Sequence, residues 1–132
     1  MNLVSFSMLW GIAIGGAVGS VSRYVISLWL ERSHGAFPLG TFVVNVSGSF
    51  LIGLLARMFS TPGGNPLVRA ALTIGFCGGF TTFSTFSAEF VTLMQEGRTA
   101  RAVGYVTASV LSGVLAVVAG LAIGSRFVSP RG

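Results

Sequence analysis

The apolar positions of this chain fall into four long runs separated by short polar joints rich in glycine and proline. The runs extend from about Phe6 to Leu30, Leu39 to Phe59, Leu67 to Met94 and Ala102 to Phe127. A helix needs about 20 mostly apolar residues to cross the hydrocarbon of a bilayer, and each run supplies them. The pattern therefore predicts an all-α membrane protein with four transmembrane helices. The joints read as turns. Glu31 to Gly35 with Pro38 links the first pair of spans, Thr61 to Pro66 the second, and Gln95 to Arg98 the last. Proline and glycine in these joints oppose helix continuation. Residues 1–132 are expected to form one four-span domain, with no soluble domain between the runs.

Composition supports a lipid environment. Charged residues make up 8% of the chain and hydrophobic ones 52%, whereas a soluble domain carries about 25% charged residues. The apolar N-terminus has neither a basic leader nor a small-residue cleavage site and reads as the first span. Cys77 is the sole cysteine, so no intrachain disulfide is possible, and its apolar setting suits a small buried hydrophobe. Eight arginines oppose three acids. They are scattered at the ends of apolar runs, where they meet lipid headgroups, and form no basic face for nucleic acid.

The distribution of these arginines leaves orientation open. Both termini and the middle joint share one side of the membrane, with Arg57, Arg69, Arg126 and Arg131; the other side has Arg32, Arg98 and Arg101. Four against three is almost no bias for the positive-inside rule. Such a chain can insert both ways and pair with an inverted copy, or its weak bias can be resolved by the insertion machinery.

Polar groups inside hydrocarbon are costly without partners, so their spacing carries information. Thr41, Asn45 and Ser49 recur every four residues and share one face of the second span. Tyr105, Ser109 and Ser112 share a face of the fourth. Neutral donors in a stripe can solvate an anion without trapping it, as conduction requires. They can equally bond to one another or to their own helices. Arg23 lies deep enough to snorkel or to gather anions in a water-filled vestibule, and Glu89 either caps a polar network or reaches the interface. Gly11, Gly15 and Gly19 are spaced for close helix packing.

The third span is the least regular, with Gly75-Phe76-Cys77-Gly78-Gly79-Phe80-Thr81-Thr82-Phe83-Ser84-Thr85-Phe86-Ser87 at its centre. Paired glycines and a run of hydroxyl residues weaken a helix there. A break would free backbone carbonyls, which are tolerated at that depth when buried in protein or bound to a hard cation such as Na⁺. The alternative is a continuous helix with a glycine-lined packing face. Phe80, Phe83 and Phe86 follow at three-residue spacing, predicting one aromatic ridge whose positive ring edges attract an anion.

Three segments resemble the Fluc family of fluoride channels, also known as CrcB. They run from Gly15 to Tyr24, from Phe37 to Phe50 and from Gly75 to Glu89. The run Gly78-Gly79-Phe80-Thr81-Thr82-Phe83-Ser84-Thr85-Phe86 is the most specific, and the likeness extends over almost the whole chain. The resemblance implies an antiparallel, dual-topology homodimer with two fluoride pores, passive F⁻ export across the bacterial inner membrane, and no enzymatic activity. It implies a third helix broken in mid-membrane, with Gly78 and Thr81 carbonyls holding a structural Na⁺ at the dimer centre. It also implies that Phe83, Phe86 and Asn45 contact fluoride, with Arg23 in the vestibule. Thr41 and Thr82 join this pore set as neighbouring hydroxyls. Tyr105, Ser109 and Ser112 join it on a looser match. The expected partners are fluoride, sodium, lipid and a second copy of the chain.

Two other classes fit the same outline less well. A small proton-coupled drug exporter has this size and span count but needs a membrane-buried carboxylate, and the first span carries Arg23 instead. A non-transporting assembly subunit explains the glycines but not the polar stripes. An enzyme is disfavoured because His34 is solitary in a joint and no acid–base pair or metal-ligand cluster is evident.

Overall fold

The computed structural model describes residues 5–31, 37–60 and 64–128. Arg32, His34, Thr61 to Gly63 and Arg131, used above, lie outside the described residues. The described chain is all helical, with α1 (Phe6–Glu31), α2 (Leu39–Met58), α3 (Pro66–Ala70), a π-helical segment (Ala71–Cys77), α4 (Gly78–Phe80), α5 (Phe83–Gln95), α6 (Thr99–Gly124) and a closing 3₁₀ turn (Ser125–Phe127). Four stretches are long and apolar enough to cross a membrane: Phe6–Leu30, Leu39–Met58, Pro66–Gln95 and Thr99–Phe127. The fourth begins a few residues before the sequence-predicted start, because the polar Thr99 and Arg101 are absorbed into the first turn of α6.

Local chemistry sets the element ends. Asn65 caps α3 by accepting from the amides of Leu67 and Val68, and Pro66 occupies the first helical position, where its missing N–H costs nothing. The α5–α6 turn closes with the Gly97 amide on the Met94 carbonyl (3.1 Å) and the Arg98 amide on the Leu93 carbonyl (2.9 Å). This is a Schellman closure, and Gly97 takes the positive φ of 72° that it requires.

Two pairs of helices pack backbone to backbone. On one side α1 lies along the π-helical segment and α4, where added methyls at Gly15 and Gly19 would overlap the carbonyls of Ala71 and Phe76. Gly75 and Gly79 meet the α1 carbonyls of Ile12 and Gly16 in return. On the other side Gly53 of α2 faces the Val117 carbonyl of α6, and Gly120 of α6 faces that of Phe50. In lipid there is no hydrophobic gain from pressing two apolar helices together, so association depends on close van der Waals approach, which small residues permit. The outward face of α1 carries Phe6, Trp10, Ile14, Val18, Val21, Val25 and Trp29, all largely exposed. Their three- and four-residue spacing makes a stripe suited to acyl chains. The fully buried interior is small and centres on Leu93, Ala102 and Tyr105, with Phe37, Phe42, Phe86 and Phe90 against it.

Gly19→Ala is expected to destabilise the fold by about 1–3 kcal/mol through overpacking against the third span. Gly104→Ala, in the interior of α6 where a new methyl meets nothing within 4 Å, is expected to leave stability unchanged or to raise it by up to about 1 kcal/mol, since alanine is the better helix former. Unfolding of both variants in mild detergent measures the contrast.

Candidate functional site

The helix that starts at Pro66 stops at Phe80 and another starts at Phe83. Between them Thr81 (φ −79°, ψ 157°) and Thr82 (φ −149°, ψ 115°) are extended. An extended residue turns its N–H and C=O to the same side, as in a hydrogen-bonded pair of antiparallel strands. The Asn45 carboxamide meets both groups of Thr82. Its Oδ1 accepts from the Thr82 amide at 2.8 Å and its Nδ2 donates to the Thr82 carbonyl at 3.1 Å. The Thr82 side chain then caps α5, accepting from the Thr85 amide at 3.2 Å and bonding to the Thr85 hydroxyl at 3.0 Å. The Gly79 carbonyl receives the Ser20 hydroxyl from α1, and that of Cys77 receives the Thr81 amide and hydroxyl. Polar main-chain groups of this stretch thus find side-chain partners, as a non-aqueous setting demands.

Two cavities flank the extended pair. The larger, about 480 Å³, is a groove whose lining includes Asn45, Ser49, Phe83, Phe86 and Ser109. Gly78, Thr81 and Cys77 also border it. The Ser109 Oγ is buried there and has no hydrogen-bond partner among the described residues. The smaller cavity, about 230 Å³, lies on the α1 side among Ser20, Arg23, Ser27, Thr41 and Thr85. The Nε of Arg23 is buried without a partner among the described residues. Thr82 borders both cavities.

The structure brings most of the sequence-nominated residues to these two cavities, with three differences in arrangement. Phe83 and Phe86 pair at 5.9 Å between ring centroids, and Phe83 is 80% exposed on the groove side. Phe80 does not extend this ridge. It lies before the extended pair, is buried, and stacks on Phe76 at 5.4 Å. Three-residue spacing makes a ridge only along one continuous helix, and Thr81 and Thr82 interrupt it. Next, Thr41 and Tyr105 are drawn to Glu89: the Thr41 hydroxyl donates to Oε1 and the Tyr105 hydroxyl to Oε2, both at 2.7 Å. Tyr105 is fully buried and packs edge-on against Phe37. Finally, Ser112 is half-buried and does not line the groove.

Glu89 is the polar residue whose place the sequence left open. An acid within an apolar span requires donors, and the two it uses were already marked as donors on other helices. Removing either donor leaves a carboxylate oxygen unsatisfied. Tyr105→Phe and Thr41→Val are each expected to cost about 1–3 kcal/mol. The double variant should cost less than their sum, since both act on one carboxylate. A double-mutant cycle in detergent unfolding checks this.

Four apolar helices around a polar, aromatic-lined groove define a small multi-pass membrane protein. Comparison with known proteins supplies the family. Residues 10–121 match the profile of the CrcB-like proteins, described as Camphor Resistance (CrcB). The chain is 48% identical over 114 residues to the fluoride-specific ion channel FluC of Rhizobium meliloti, spanning 85% of this chain and 91% of that protein. It is 45% identical over 113 residues to the protein of the same name from Paracoccus denitrificans, spanning 86% and 90%. It is 44% identical over 115 residues to fluoride-specific ion channel FluC 2 of Bacillus subtilis, spanning 87% and 86%. The chain belongs to the CrcB family, whose curated relatives are named as fluoride-specific channels.

Proposed function

We propose that this protein is a fluoride-selective channel that lets F⁻ leave the cell passively and so lowers cytoplasmic fluoride. The observation that carries the reading is the groove where the Phe83 and Phe86 rings lie with Asn45, Ser49 and the unpartnered Ser109 hydroxyl. Fluoride is small, strongly hydrated and a strong hydrogen-bond acceptor. A path for it must replace water with neutral donors and positive ring edges, strongly enough for entry and weakly enough for release. One Nδ2 hydrogen of Asn45 remains beyond its bond to Thr82 and is available to an anion. Arg23 on the α1 side adds positive potential at the approach. The names of the relatives give the ion, which groove chemistry alone would leave as a small anion.

The working unit in this reading is an antiparallel homodimer in the bacterial inner membrane, built from two single-domain chains. The nearly balanced arginines of the two sides favour dual insertion. Phe83, 80% exposed beside a polar groove, is a residue that a second copy would cover. The third transmembrane helix is broken in mid-membrane at Thr81 and Thr82. A Na⁺ at the dimer centre is held by the Gly78 and Thr81 carbonyls of both chains. The donor set suits the ion, because main-chain carbonyls are hard neutral ligands and the stretch borders the open groove. Its charge would lend positive potential to the adjacent anion paths. Thr41, Thr82 and Ser109 complete the polar lining, while Tyr105 stands behind it, held together with Thr41 by Glu89, and Ser112 lies off the groove.

Purified protein in liposomes, with no proton gradient imposed, should release F⁻ rapidly and electrogenically with negligible Cl⁻ loss. Phe83→Ile and Phe86→Ile should slow F⁻ release by roughly tenfold or more while the protein remains folded. Absence of F⁻ release from folded protein, or equal release of Cl⁻, would overturn the reading.

A further inference from the structure

In a continuous helix the Gly78 carbonyl would accept from the Thr82 amide, and the Thr81 carbonyl from the Thr85 amide. Both donors are taken by side chains. Asn45 Oδ1 holds the Thr82 amide at 2.8 Å, and Thr82 Oγ1 holds the Thr85 amide at 3.2 Å. Each capture releases one carbonyl, and the two released are those assigned to the cation. We infer that Asn45 and Thr82 are the positioning residues of the cation site, building it by diverting the helical donors of its ligands while touching no cation themselves. This rests on the sodium reading above and gives Asn45 a second task beside any contact with fluoride.

The argument is one of competition. A carbonyl that keeps its N–H partner shares its dipole with that donor, so a cation must compete for it. A released carbonyl at the border of the groove keeps its whole dipole for a cation, which then competes only with water. The diversion is stable because the thieves are well held. Thr82 is nine-tenths buried, its amide and carbonyl are both fixed by one carboxamide, and its hydroxyl also bonds to that of Thr85 at 3.0 Å. Asn45 suits the task because only a side-chain amide offers an acceptor and a donor in the geometry of a peptide group. Removing it returns the Thr82 amide to the Gly78 carbonyl, and removing the Thr82 hydroxyl returns the Thr85 amide to the Thr81 carbonyl.

The test measures thermal unfolding of the purified full-length protein as Na⁺ replaces N-methylglucamine at constant ionic strength. The native protein should be stabilised by Na⁺ in a saturable way. Asn45→Ala and Thr82→Val should each raise the half-saturating Na⁺ concentration by roughly tenfold, whereas Thr82→Ser, which keeps the hydroxyl, should restore the native value. Native half-saturation in Asn45→Ala and Thr82→Val would overturn the inference and leave the sodium reading standing. No Na⁺ response in the native protein would overturn both, while fluoride flux would still judge the channel reading separately. If the variants do not fold, hydrogen exchange on the native protein decides: the Thr82 and Thr85 amides should be protected with and without Na⁺, and rapid exchange at either overturns the inference.

Discussion

A backbone N–H or C=O inside a bilayer has no water to bond, and each one left alone costs several kcal/mol. That constraint governs the stretch from Cys77 to Thr85. Leaving the helix for two residues exposes donors and acceptors, and the fold answers with side chains brought from other helices. Ser20 comes from α1 to the Gly79 carbonyl and Asn45 from α2 to Thr82, while Thr82 caps the helix that follows. The interruption is therefore a feature of the bundle as a whole and not of the third span alone. Both neighbouring helices must be in register for it to exist, and the glycine contacts along α1 fix one of those registers.

The polar groups divide into those that hold the fold and those free to meet an ion. Thr82 and Glu89 bond to protein partners, and Asn45 does both, giving one donor and one acceptor to Thr82 and keeping one Nδ2 hydrogen. The Oγ of Ser109 and the Nε of Arg23 have no partner among the described residues, and the two residues line different cavities that share Thr82. A channel needs both kinds. Groups already committed to protein supply a rigid wall, and uncommitted ones offer weak, exchangeable solvation.

Much of this was legible in the chain. Four apolar runs announced four helices to within a few residues, because span length is set by membrane thickness and not by subtle packing. The face shared by Thr41, Asn45 and Ser49 followed from helical period alone. The paired glycines Gly78 and Gly79 pointed to a weakened helix, but both are helical, and the extended residues are Thr81 and Thr82. Partners were not legible. That Thr41 and Tyr105 would converge on Glu89 depends on how three helices are rotated about their axes, which no local spacing encodes. Phe80 was misplaced in one ridge with Phe83 and Phe86 because the three-residue spacing assumes a continuous helix through Thr81 and Thr82. The π-helical widening over Ala71–Cys77 also left no signal in the period of the apolar residues.

Along the seam between α1 and the third span, Gly15, Gly19, Gly75 and Gly79 are set against carbonyls of the opposite helix. Main chain has no rotamers. A contact of this kind loses no side-chain entropy on forming and offers none to regain on loosening. The outward residues of α1, such as Trp10, Val18 and Val25, are free to follow the lipid composition of whatever membrane the protein inhabits. The glycine contacts behind them are made without those outward side chains, so a change on the lipid face leaves them untouched.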